Sequence, residues 1–436
     1  MSIYNLVSLS GILVLIIISW FLSANRKAVN WKLVLWGIFL QLGFAVFLFI
    51  IPAGTKLFVA MNNFVVKILD SATAGAKFVF GRLALAPGEK GPQGETSLGF
   101  ILAFQAFPTI IFFSSLMSIL YYFNILPVII KFFSRLFSRL MRISGAESLA
   151  SASNIFVGIE SAFTIRPYLR NMTVSELCTV LTAGMATVAS NVLALYVFTL
   201  KQQFPSIAGH LISASVLSAP AAIVISKLLL PETEVPKTLG KDIKPFYEKE
   251  NSLFVAIING ANAGVKVIVG IVALLIAILG LVSLVDLFLG FIGEKLNMLF
   301  NWRFNWTLSN ILGYLFFPLS LIIGIPVKDC ALAGKIIGER LVLTEVVSYQ
   351  HLNEAITQGL FTSPRSAVII AYALCGFAHI ASMAIFVGGI SALVPERTAD
   401  IVKVSWRALL AATLACLLTA CIAGSFITQK AIIFGH

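Results

Sequence analysis

The feature that most limits what this chain can become is its set of long apolar runs. They cover 6–22, 33–51, 211–230 and 265–289, and each reaches or approaches the ~20 residues an α-helix needs to cross hydrocarbon. Hydrophobic residues make up 59% of the 436 and charged residues only 11%, too few to clothe a water-facing surface of this size. The solvent for most of the protein is therefore lipid. The first run lacks a basic leader and a small-residue cleavage site, and further spans follow it, so it is expected to stay as a helix.

The net charge of +12 would suggest nucleic acid in a water-soluble protein, but here the basic residues cluster between spans. Arg26, Lys27 and Lys32 follow the first span, Lys131, Arg135, Arg139 and Arg142 follow the third, and Arg397 and Lys403 precede the last. Such loops face the cytoplasm, which puts both chain ends on the periplasmic side of a bacterial inner membrane and leaves no role for nucleic acid. Cys178, Cys330, Cys375, Cys416 and Cys421 have no CxxC spacing and read as small hydrophobes. No GxxxxGK[ST] is present, so nothing supports ATP-driven pumping.

Between the spans the pattern changes twice in the same way. Residues 146–169 hold apolar runs of about ten residues, too short to span, broken by Gly158, Glu160 and Ser161. A re-entrant hairpin with its tip at Gly158 fits, followed by a full helix to about residue 200 that opens with the capping box Thr173-x-x-Glu176. Residues 326–352 repeat the plan, with short arms expected to break at Gly338-Glu339-Arg340 and with Glu345 aboard; Ser363-Pro364 then opens another full helix. The two copies lie an odd number of crossings apart. The expected fold is therefore an all-α polytopic membrane protein of about eight transmembrane helices and two re-entrant hairpins in an inverted repeat, with interfacial helices over 56–82 and 126–142. Residues 1–98 would form a scaffold, 99–230 and 253–436 the repeats, and 231–252 a cytoplasmic linker.

A carboxylate at bilayer depth costs roughly 2.5–3.5 kcal/mol on insertion scales, so Glu160 and Glu345 each need a polar partner or a wet cavity. Pairing with a neighbouring arginine such as Arg166 or Arg340, or a shallower position, is the plain structural alternative. Matched placement in two repeats favours function.

The motifs then become specific. Gly145-Ala-Glu-Ser-Leu, Asn154-Ile-Phe-Val-Gly158, Arg166-Pro-Tyr-Leu, Met172-Thr-x-Ser-Glu176-Leu, Gly184-Met-Ala-Thr187, residues 109–122, residues 338–349, Tyr372-Ala-Leu-Cys-Gly-Phe377 and Pro395-Glu-Arg397 resemble the concentrative nucleoside transporter family over nearly the whole chain. The resemblance implies a homotrimer in the lipid bilayer, each protomer holding one nucleoside between the hairpins and two partly unwound helices, with sodium or protons as the drive. By position Glu160 would face the nucleobase, Glu345, His379 and Ser382 the ribose hydroxyls, and Phe377 and Val192 the base. A carboxylate suits a vicinal diol because it accepts from both hydroxyls. The implied sodium site is the side chains of Asn154 and Thr187 with the carbonyls of Val157 and Val188; helix-to-helix hydrogen bonding is the bland alternative for the first two.

The chain departs from the family where specificity is set. The usual Gly-Gln-Thr-Glu-Ala-Pro reads Gly158-Ile-Glu-Ser-Ala-Phe163, one residue shorter; the usual Asn-Glu-Phe reads Thr344-Glu345-Val346; and His379 stands for the usual Asn. A transporter of a related base-like or ribosylated solute is thus the near alternative. An intramembrane enzyme using Glu160, Glu345 and His379 is a distant one, since HExxH and GxSxG are lacking and no second histidine is expected at bilayer depth.

Overall fold

The computed structural model describes residues 2–92, 94–246 and 250–427, and is all helical apart from isolated β-bridges among those residues. The linker residues 247–249 and the chain's last residues, whose periplasmic placement was expected, lie outside the described residues. Helices α1 (Ile3–Phe21) and α2 (Trp31–Phe49) match the first two expected spans, and α3 (Pro52–Phe80) follows. The short α4 (Leu102–Gln105) and α5 (Phe107–Tyr122) make up the third span, with Pro108 in the first turn of α5, where its missing amide costs nothing. Then comes the basic α6 (Ile125–Met141).

The first hairpin is α7 (Gly145–Ser153) with two single-turn pieces, α8 (Ser161–Thr164) and α9 (Arg166–Leu169). Its arms lie side by side: Ser153 and Thr164 share a hydroxyl hydrogen bond of 3.2 Å, and Ser161 Oγ donates to Asn154 Oδ1 at 2.9 Å. The helix after it opens on the expected box, with Thr173 accepting from the Glu176 amide and the Glu176 carboxylate from the Thr173 amide. It is not one helix, however. It splits into α10 (Val174–Ala186) and α11 (Ser190–Leu200), and α12 (Ile207–Leu229) closes the repeat.

The second half begins with α13 (Leu253–Phe300), longer than the expected end near residue 289, and α14 (Leu308–Ile322). The second hairpin is α15 (Cys330–Leu343) and α16 (Glu345–Thr357). Its break falls at Thr344, not at the expected Gly338-Glu339-Arg340, which lies inside α15. Gly338 serves close packing instead, for a Cβ there would sit 2.8 Å from the Leu312 carbonyl of α14. The next helix is also split, into α17 (Pro364–Leu374) and α18 (Ile380–Leu393), and α19 (Thr398–Phe426) ends the described fold. Pro364 takes the first helical position as expected, but Ser363 makes no side-chain cap.

Eight helices of the described residues are long and apolar enough to cross a membrane. They are not the eight expected: the span over 52–84 joins the set, whereas the split α17 and α18 are each too short to qualify. The same order of interfacial helix, hairpin, split helix and closing span recurs in both halves. Helices α10, α12 and α19 are almost wholly buried and form the centre, while α13 is exposed along most of its length. Arg365 ties the centre to α1, donating to the carbonyls of Gly324, Gly424 and Tyr4 and to Ser8 Oγ.

Candidate functional site

The two helix splits meet back to back. In the first, residues 187–189 leave the helix, and the Ser190 amide donates across to the Phe156 carbonyl of hairpin 1 at 3.0 Å. In the second, Gly376 takes a φ of 154°, and a Cβ there would sit 2.7 Å from the Ala186 carbonyl at the end of α10. The Cys416 thiol of α19 reaches the carbonyls of both Ala186 and Cys375. Non-helical backbone at this depth survives because it is packed in protein.

Glu345 opens α16 and is 4% exposed. Tyr196 of α11 donates to its Oε1 at 2.6 Å, and His379 Nε2 lies 2.9 Å from its Oε2. His379 is also the N-cap of α18: its Nδ1 accepts from the Ser382 amide at 3.1 Å, which leaves Nε2, the nitrogen nearer the carboxylate, as the ring donor. Ser382 Oγ folds back on the carbonyls of Phe377 and His379. Glu345 therefore joins hairpin 2, the second split and a helix of the first repeat. Each carboxylate oxygen retains a free lone pair for a hydroxyl donor. Val192 lies one turn before Tyr196 on α11 and is buried.

Glu160 behaves differently. It is exposed at the tip of hairpin 1, beside Tyr121 of α5, and no hydrogen bond or ion pair joins it to Glu345 or His379 among the described residues. The structure thus brings Glu345, His379 and Ser382 together and leaves Glu160 apart. Its neighbour Ile159 does reach the second repeat, because a Cβ on Gly389 of α18 would strike it at 2.3 Å. The Arg340 alternative is also settled, since Arg340 donates to the Ala373 carbonyl and not to Glu345. Sequence reasoning missed Tyr196, and with it Tyr349, whose ring stacks on it at 4.4 Å. A tyrosine inside an apolar helix gives no signal that its hydroxyl has a charged partner.

The residues named for sodium lie on hairpin 1 and on the first split, two segments joined by the Ser190–Phe156 hydrogen bond. Asn154 and Thr187 are buried, and each side chain is turned onto its own helix, Asn154 Nδ2 on the Ala150 carbonyl and Thr187 Oγ1 on that of Ala183. The carbonyls of Val157 and Val188 stand outside any helix and accept no hydrogen bond among the described residues. Neutral oxygen donors of this kind suit a hard cation.

A repeated hairpin and split helix, meeting over one buried carboxylate inside a membrane, define a solute transporter of the inverted-repeat class. Family models agree: "Na+ dependent nucleoside transporter N-terminus" matches residues 10–83, "Nucleoside recognition" 103–203, and "Na+ dependent nucleoside transporter C-terminus" 210–424. This chain belongs to the concentrative nucleoside transporter family. It is 34% identical to the nucleoside permease NupC of Helicobacter pylori over 98% of this chain and 99% of that one. It is 36% identical to the mouse solute carrier family 28 member 3 over 96% of this chain, and spans only 58% of that relative's length. The structure of CNTnw in an inward-facing substrate-bound state aligns with a TM-score of 0.86 at 33% identity, covering 98% of this chain and 100% of that one. An outward-facing variant of CNTnw aligns with the same score at 32% identity, over 98% of each chain.

Proposed function

We propose that this chain imports nucleosides by symport with sodium, as a homotrimer in a bacterial inner membrane with both termini periplasmic. Residues 1–98 act as scaffold, 99–230 and 253–436 as the two repeats, and 231–252 as the cytoplasmic linker. The observation that carries the proposal is the buried Glu345, held by Tyr196 of one repeat and His379 of the other. A carboxylate at that junction accepts both hydroxyls of a ribose, with Ser382 beside it, while Val192, Phe377 and Glu160 meet the base once hairpin 1 closes. Asn154, Thr187 and the carbonyls of Val157 and Val188 hold the ion. Each sodium moving down ~100 mV supplies ~2.3 kcal/mol before its concentration gradient is added.

Uptake of labelled nucleosides into proteoliposomes tests this directly. Saturable uptake should follow a sodium gradient and vanish when potassium replaces sodium. Uptake that follows a proton gradient alone would replace the ion, and no nucleoside uptake under any gradient would end the proposal.

A further inference from the structure

Arg340 is the largest side chain fully buried in the described fold, at 1% exposure, and no ion pair among the described residues includes it. Its Nη1 donates to the Ala373 carbonyl near the C-terminal end of α17, while Nε and Nη2 have no hydrogen-bond partner among the described residues. The Glu345 carboxylate is held by Tyr196 and His379, and Cys416 and Cys375 lie beside the guanidinium. An unpaired charge at bilayer depth costs a few kcal/mol, so its surroundings must favour a cation. They do: the last carbonyls of a helix carry its negative dipole end.

The first repeat explains the position. Asn154 directly follows α7, six residues before Glu160, and Arg340 lies in the last turn of α15, five residues before Glu345, so the two hold similar though not identical places in the hairpins. Asn154 lies in the hairpin that the Ser190–Phe156 hydrogen bond joins to the first split, with the carbonyls of Val157 in the hairpin and Val188 in the split unpaired among the described residues; Arg340 supplies its own charge to the Ala373 carbonyl at the end of α17, just before the second split. We propose that Arg340 is a tethered cation, occupying in the second repeat the place that the first repeat leaves for a coupling ion. The chain then needs only one external cation per nucleoside. This rests on the ion site proposed in hairpin 1.

The test uses purified full-length Arg340→Gln and Arg340→Lys beside the wild type, with uridine affinity measured by calorimetry across a sodium series. The wild type and Arg340→Lys should show first-order sodium dependence. Arg340→Gln should bind about tenfold more weakly at low sodium and recover at high sodium, with a Hill coefficient moving from about one to about two as sodium enters the vacated place. First-order dependence at wild-type affinity in Arg340→Gln overturns the proposal. Should Arg340→Gln not fold, Arg340→Lys decides: affinity within about threefold of wild type supports a charge role, and loss there means the guanidinium shape is needed and overturns it. Sodium-independent binding in the wild type sinks the hairpin 1 ion site and with it the tethered cation, whereas a sodium-dependent wild type with an indifferent Arg340→Gln sinks the tethered cation alone.

Discussion

At the scale of single residues, the site's chemistry is concentrated in acceptors that cannot be swapped for donors. The Glu345 carboxylate already accepts a hydrogen bond from the Tyr196 phenol and has His379 Nε2 at 2.9 Å. A glutamine there would turn an NH2 toward one of those donors, and charged hydrogen bonds of this kind contribute roughly 1.5–3 kcal/mol each. Glu345→Gln should therefore cut uptake of every ribonucleoside by about tenfold or more. Normal transport by this variant would remove Glu345 from the ribose site. Tyr196→Phe keeps the stacking on Tyr349 and loses only the hydroxyl, so KM should rise with little change in kcat; an unchanged KM would show that the phenol does not set the carboxylate's position. At the ion site, Asn154→Ala should raise the sodium concentration for half-maximal uptake, and an unaltered cation dependence would place the ion elsewhere. Glu345 and His379 were legible in the sequence because ionisable groups inside apolar segments are costly and so rarely idle. Glu160 was legible as an acid at a break, but the choice between a deep and a shallow position was not, because depth depends on how hairpin 1 sits against α5 and α18.

At the scale of elements, the hairpins could be seen before the split helices could. Short arms and interrupting charges mark a hairpin directly, whereas residues 187–189, Thr-Val-Ala, contain neither proline nor glycine. They leave the helix because a neighbouring segment takes their place in hydrogen bonding, through the Ser190 amide and the Phe156 carbonyl. No local pattern encodes that. The misplaced break in hairpin 2 has a similar cause: Gly338 looks like a hinge, yet it is a contact point for α14, and the chain turns at Thr344 with a φ of 83° that β-branched residues rarely adopt. Gly376 is where a local signal and a tertiary need coincide. Gly376→Ala would drive a methyl against the Ala186 carbonyl in a conformation that alanine avoids, and overpacking of this kind costs about 1–3 kcal/mol. The variant should unfold at a lower temperature in a detergent melt and transport more slowly. A melt equal to wild type would mean that the two splits are not in fixed contact.

At the scale of the whole molecule, α13 raises the question of what covers it. Its 48 residues extend about 72 Å at 1.5 Å each, more than twice the ~30 Å of bilayer hydrocarbon. Gly260 and Gly264 hold its first part against α5, and Gly293 holds its far end against Trp306. Between these points the apolar stretch over 265–289, legible from the sequence, is long enough to span alone, and Val282 packs on Leu343 and Val347 at the break of hairpin 2. Lipid suffices for that middle. It does not suffice for Phe254, Ile258, Met298 and Leu299, which are exposed beyond both ends of the stretch, where water or headgroups would otherwise meet them. A second and third copy of the chain packed along α13 would cover them, in keeping with the proposed trimer. Light scattering of the detergent-solubilised protein should accordingly give the mass of three chains. Replacing Met298 and Leu299 with glutamate should shift it toward one chain without altering the melt of the protomer core. A monomer in the wild type, or a trimer indifferent to those charges, would leave the ends of α13 to be covered by lipid after all.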